Sequence, residues 1–274
     1  MSHSLVYTVG YWFSVSAGPR PSRSNSMSEA VSPCISKPEA LPSSSPLTFI
    51  IDVCGVLKRL KRQGWVRRQV PLPESISDHL HRTAMLSMLY HNVNDDGDEN
   101  ELLDYTDCPE FHPDLISPTM LLRMAVSHDL CEAIAGDVTP HCVNSDSRIE
   151  LEEKAMQHIA RVIGGSLGQE LADLWKEYEE QTTALAIVVK DLDKFEMLAQ
   201  AYEYESQHLV KLGADLQQDV VSSGGNLEEP LRDFFQSQQG KMKTPLFRKL
   251  DAELRVRRIN LLVELGWDIT EGET

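Results

Sequence analysis

Two histidines and three carboxylates, too widely spaced to come from one loop, are the residues of this 274-residue chain whose types could do chemistry together. His128 and Asp129 are adjacent within Ser127-His128-Asp129-Leu130-Cys131-Glu132, Ser77-Asp78-His79 lies upstream, and Asp193 lies downstream. Two imidazoles and two carboxylates delivered by separate helices (His79, His128, Asp129, Asp193) would hold a divalent cation with positions left open to water and substrate. The mixed nitrogen and oxygen set suits Mn, Co, Fe, Mg or Zn better than a thiolate-seeking metal. A cation held this way acidifies water and polarises a phosphoryl oxygen, which is the chemistry of a metal-dependent hydrolase.

On one continuous helix His128 and Glu132 stand four residues apart and Asp129 and Glu132 three apart, so Glu132 shares their face. That position suits a general base that orients or deprotonates water. Asp137, one loop further on, is placed to take substrate hydroxyls or a second ion. Taken singly, each residue has a plainer reading. Lys190-Asp191-Leu192-Asp193-Lys194-Phe195-Glu196 could be an exposed charged face with its own ion pairs, in which Asp191 competes with Asp193 for the ligand role. The joint order of His, His-Asp and Asp, each on a predicted helix, carries the argument.

The elements that must position these groups are helical, because apolar residues recur at spacings of three and four with few alternating runs. The pattern predicts an all-α fold, with helices near 47–62, 76–92, 117–135, 147–163, 167–180, 182–209 and 245–265. Ser75 or Ser77 can cap the helix of His79, and Ser117-Pro118 supplies a capping hydroxyl and a first-turn proline for the helix of His128. Gly136 and Pro140 end that helix, Gly164-Gly165 and Gly224-Gly225 mark loops, and Gly266 closes the last helix.

Residues 1–46 are expected to be a disordered leader, since Pro19 to Pro46 is dense in Ser and Pro and has no apolar period. The domain is read as 47–265, with an acidic loop insertion at 93–116 and a tail at 266–274. Nine acidic residues between Asp95 and Asp114 match no calcium-loop spacing and read as a solvated loop. Formal net charge −16 argues against a basic surface for a nucleic-acid polymer. The five cysteines form no Cys-x-x-Cys, which fits a reducing compartment, and no apolar run reaches the ~20 residues of a membrane span. A cytoplasmic location is expected, the alternative being a targeting segment in the acid-free first 28 residues.

The chain resembles the HD-domain phosphohydrolase superfamily, and within it the 5′-deoxynucleotidase branch. The resemblance is carried by Arg62-Gln63-Gly64-Trp65-Val66, Pro73 to His79, His128 to Glu132, Gly136-Asp137-Val138-Thr139-Pro140, Leu174 to Glu179 and Val189 to Glu205, together about residues 50 to 210. It implies a compact all-α helical bundle and a homodimer that hydrolyses deoxyribonucleoside 5′-monophosphates to deoxynucleoside and phosphate. Metal ligation falls on His79, His128, Asp129 and Asp193, with Asp193 preferred over Asp191. Glu132 matches the catalytic carboxylate and Asp137 the residue close to the sugar that rejects a 2′-hydroxyl. A second cation would be held by Glu132, Asp137 and the carbonyl of Val138. Trp65 matches an aromatic at the nucleotide pocket, although a core or lid position accounts for it equally well.

The phosphate-binding Arg that bacterial members carry directly before that Trp is replaced here by Gly64, so Arg62, Arg67, Arg68 or Arg82 must supply the charge; Arg62 is the substrate-binding candidate. Two rival readings use the same residues: a phosphohydrolase for another phosphate ester, or a non-catalytic scaffold with a structural metal. Helices near 147–180 carry mixed faces that could form the dimer interface.

Overall fold

The computed structural model describes residues 45–92, 103–138, 145–211 and 227–270. All elements described belong to one unit, Leu41–Thr274. Pro46–Thr48, a π-helical stretch Phe49–Cys54 and Gly55–Leu57 run on as α1. There follow α2 (Gln63–Arg67), α3 (Ile76–Leu89), α4 (Pro118–Ser127), α5 (Glu132–Ala135), α6 (Ser145–Ile163), α7 (Gly165–Glu180), α8 (Ala184–His208), α9 (Arg232–Gln238) and α10 (Pro245–Glu264). Among the described residues there is no strand, only isolated bridges. The fold is all-α, as the apolar spacing requires.

Local chemistry fixes several starts. Ser75 begins α3 through a reciprocal capping box: its hydroxyl accepts the Asp78 N–H at 3.2 Å, and the Asp78 carboxylate accepts the Ser75 N–H at 2.8 Å. Ser117 caps α4, with Pro118 at its first position. The predicted helix 117–135 is broken between His128 and Cys131, where Leu130 N–H reaches Ser127 and Glu132 N–H reaches Asp129, tighter three-residue turns. Two short helices went unforeseen, α2 and α9; at five and seven residues they are too short to show a period.

The tight α6–α7 connection depends on glycine. Gly164 and Gly165 both take positive φ, and α7 starts at Gly165 rather than at 167. A Cβ on Gly168 would collide with the Ala160 carbonyl, so hydrogen alone allows the two helices to approach this closely.

α8 is the central strut and packs against α3, α4, α7, α9 and α10. Its residues Val188, Val189, Leu192, Leu198 and Ala201 are fully buried, and so are Asp191, Glu196 and Glu205. Acids on the enclosed faces of this helix have no solvent to reach, so each needs a partner. Asp191 accepts the backbone N–H groups of Lys243 and Thr244 at 2.7 and 2.8 Å, which fastens the start of α10. Glu205 takes Arg258 of α10 at 2.7 and 2.8 Å and the Leu231 N–H at 2.6 Å.

The segments expected to be appendages are partly core. In the acidic insertion 93–116, residues 103–116 are described, and Tyr105, Phe111 and Ile116 are buried around the turns Pro109–Phe111 and Pro113–Leu115. This corrects the expectation of a wholly solvated loop: acids dominate the composition, but a few apolar side chains anchor it. In the 266–274 tail, Trp267 and Ile269 pack on the core, and the Trp267 indole N–H reaches the Val210 carbonyl at 3.0 Å. The leader lies outside the described residues apart from 45 and 46, as do Gly224-Gly225 and Pro140. No described helix is long and apolar enough to cross a membrane.

Candidate metal centre

α3, the α4–α5 corner and α8 bring His79, His128, Asp129 and Asp193 to one point. The two Nε2 atoms face each other at 3.4 Å. Asp129 Oδ2 lies 3.6 Å from His79 Nε2 and 3.4 Å from His128 Nε2, and Asp193 Oδ1 lies 3.3 Å from His79 Nε2. Both rings are held from behind. His79 Nδ1 bonds to the Glu196 carboxylate, and His128 Nδ1 donates to the Ala125 carbonyl at 2.9 Å. With each Nδ1 committed to an acceptor, the lone pair is left on Nε2, as metal ligation requires. The donor set therefore fits a cation.

The electrostatics agree. Burial and Arg62 both favour a neutral His79 ring, yet hydrogen bonds to Asp193 and Glu196 push its pKa up to about 9. A site so rich in anionic oxygen attracts positive charge. Burial works against ionised Asp129 and Asp193, but the histidines, and Lys190 for Asp193, hold both below the usual carboxylate range.

Glu132 differs from the aspartates at this site. It is 9% exposed, and among the described residues its Oε2 is buried without a hydrogen-bond partner. Burial first, then repulsion from Asp129 and Asp137, raises its pKa well above the ordinary range. Gly136, at φ 78°, turns the chain out of α5 so that Asp137 swings back to accept the Gln63 N–H at 2.6 Å. Asp137 thereby ties α2 to the centre, and half-buried Val138 follows at the edge of the described segment.

Of the four candidate arginines, Arg62 reaches the ligands: its Nη1 is 3.4 Å from Asp129 Oδ2 and its Nε 3.9 Å from Glu74 Oε1. Arg68 pairs with Glu229 and Asp233, and Arg67 and Arg68 line a separate cavity with Leu227 and Leu231. Arg82 is bound to Gln200 and Glu203, both at 2.8 Å.

Trp65, expected at a nucleotide pocket, is only 1% exposed. Its ring stacks on Phe234 at 4.4 Å and meets the edge of Tyr204 at 5.3 Å, and its N–H goes to Glu74 at 2.8 Å. The indole therefore has no open face here, and packing rather than exposure decides what it touches.

The spacing did not single out three further residues. Tyr178 donates to Asp193 Oδ2 at 2.7 Å, Lys190 reaches the same oxygen at 3.1 Å and the Tyr178 hydroxyl at 2.6 Å, and Glu196 holds His79. Lys190 and Asp193 sit one helical turn apart, which was the available signal; Tyr178 and Glu196 had none beyond membership of the matching segments. Asp191 is excluded from the centre because both its oxygens point toward α10 and Lys194.

Comparison with known proteins agrees with this geometry. Residues 54–105 and 108–234 match the HD domain family. The chain is 38% identical over 211 residues to the 5′-deoxynucleotidase HDDC2 of Dictyostelium discoideum, covering 75% of this chain and 95% of that one. It is 34% identical over 213 residues to 5′-deoxynucleotidase HDDC2 of Homo sapiens, covering 77% and 86%. A conserved hypothetical protein from Pyrococcus furiosus has the same fold, with TM-score 0.50 and 27% identity over 77% of this chain and 99% of the other. With its paired histidines and aspartates carried on a helical bundle, and with matches that span most of its length, the chain belongs to the HD domain family.

Proposed function

We propose that the protein is a metal-dependent 5′-deoxynucleotidase that hydrolyses deoxyribonucleoside 5′-monophosphates to deoxynucleoside and phosphate. The observation that carries this reading is Glu132, a buried carboxylate near Asp129 and Asp137 with an oxygen that has no hydrogen-bond partner among the described residues, in a chain whose relatives are named for that activity. A structural metal site has no use for such a group, because an unpartnered buried acid costs stability. His79, His128, Asp129 and Asp193 would hold a divalent cation, and Glu132, Asp137 and the Val138 carbonyl a second. The cation supplies charge to polarise the phosphoryl group and to acidify water.

The chain's own residues do the rest. Glu132, its pKa raised by burial and by the neighbouring acids, takes the proton from the attacking water. Arg62, poised at Asp129, meets the phosphate oxygens in place of the arginine that Gly64 displaces. Asp137 hydrogen-bonds the sugar and excludes a 2′-hydroxyl. Trp65 shapes that wall by packing against α9 and fixing Glu74, rather than by stacking on the base. The catalytic domain is 47–265, and the reading includes a homodimer in the cytoplasm.

Phosphate release from deoxy- and ribonucleoside 5′-monophosphates, by metal-stripped protein given Mn, Co, Mg or Zn one at a time, tests the reading. Metal-restored release confined to the deoxy substrates is expected. Silence with every metal, from folded and metal-loaded protein, would move the assignment to another phosphate ester or to a scaffold. Sedimentation of the same sample reads the dimer.

A further inference from the structure

We propose that Glu196 is the positioning residue of the metal centre, fixing His79 from the far side of its ring. The inference deepens the metal-site reading above. Glu196 lies one turn beyond Asp193 on α8, and the two carboxylates address opposite nitrogens of one imidazole: Asp193 Oδ1 at Nε2, 3.3 Å away, and Glu196 Oε2 at Nδ1. A single helix thus supplies one ligand and clamps another.

The second histidine makes the contrast plain. His128 Nδ1 is satisfied by the Ala125 carbonyl three residues earlier, a bond that the turn of α4 provides. His79 has no such local acceptor, because its Nδ1 faces α8. Its partner is a full carboxylate 117 residues away in the chain, with no exposure to solvent. A charge buried there is expensive, and an apolar residue of similar size would pack at least as well. Compensation is partial: Arg82 Nε is 3.6 Å from Glu196 Oε1, and that oxygen makes no hydrogen bond among the described residues. What the carboxylate does that an apolar side chain cannot is hold the Nδ1 proton, direct the Nε2 lone pair to the cation, and make the ring a stronger donor.

Cobalt(II) alone, titrated into full-length metal-stripped protein against a competing chelator with its visible absorption recorded, tests this. Glu196→Gln keeps the volume and an acceptor but loses the charge, and about tenfold weaker Co(II) binding is expected; Glu196→Ala loses both, with weakening toward about 100-fold. At saturating Co(II), kcat falls while KM for the nucleotide holds near wild type. Glu205→Gln is the control, equally buried on the same helix but bonded to Arg258, and should lose melting temperature while keeping Co(II) affinity. Wild-type Co(II) affinity in Glu196→Gln overturns the inference, and so does an equal loss in the Glu205 control. Glu196→Ala adds the larger effect where it folds, and the glutamine variant decides where it does not. Because the readout is metal binding, failure to hydrolyse deoxynucleotides would sink the substrate reading and leave this one standing.

Discussion

Two regions on either side of α8 bury acids in opposite styles. At the face toward α10, Asp191 and Glu205 are fully compensated: backbone N–H groups and the Thr244 hydroxyl surround the first, and Arg258 with the Leu231 N–H surrounds the second. Arg258 itself is buried and stacks on Phe235 at 4.1 Å. At the metal centre, Glu132 Oε2 and Glu196 Oε1 are buried without hydrogen bonds among the described residues. Compensated burial is architecture, since it fixes where α9 and α10 dock. Uncompensated burial costs stability and persists where a ligand or a reaction makes use of it.

Substitutions that remove charge should therefore act in opposite directions at the two faces. The largest effect belongs to His128→Ala or Asp129→Ala, which should abolish metal retention and turnover together, read by metal analysis and phosphate release; activity surviving both would break the contrast. Glu132→Gln comes next, with turnover down roughly 10²- to 10⁴-fold. The same variant should keep the cation assigned to His79, His128, Asp129 and Asp193 and, free of metal, melt higher than wild type at neutral pH, because the raised pKa means that the folded state disfavours the charged form.

At the other face Arg258→Ala should cost about 3–5 kcal/mol in denaturant unfolding by leaving Glu205 buried and unpaired, with Co(II) affinity unchanged. Asp191→Ala should cost less, about 1–3 kcal/mol, since it orphans backbone donors rather than a charge. A loss of metal from either variant would show that the two faces are not independent.

The smallest effect sharpens the comparison between them. Glu152, buried beside Arg148, is driven up by burial, with Arg148 opposing, to about 7. A carboxyl raised in the fold stabilises it fully below the unfolded value of 4.5 and loses that contribution as pH rises through 7. Glu152→Gln should flatten the decline in melting temperature between those limits, by no more than about 1.4 kcal/mol per pH unit for one proton.

Much of this was legible in the chain. Ser75, Ser117, Pro118 and Gly266 mark helix ends through contacts within three or four residues, and the order His79, His128-Asp129, Asp193 names the ligands we propose. Local rules reach that far because capping, turn geometry and helical period depend on neighbours in sequence. The charged run of α8 shows where they stop. As sequence, the run could be an exposed charged face or could supply a ligand from Asp193 with Asp191 as its competitor; in the fold Asp191 goes to the start of α10, Asp193 to the two histidines and Glu196 to the far side of His79.

Trp65 and Arg62 show the same division. The resemblance put both at the substrate, but Phe234 and Tyr204, supplied by α9 and α8, close over the indole and leave the guanidinium at Asp129. The sequence by itself determined which residues could ligate, cap and turn. Only the tertiary structure decided which carboxylate turns to the two histidines, which one holds the helices together and which keeps an oxygen without a hydrogen bond among the described residues, because the charge or donor that satisfies a buried acid comes from a helix distant in the chain, whose position is set by packing.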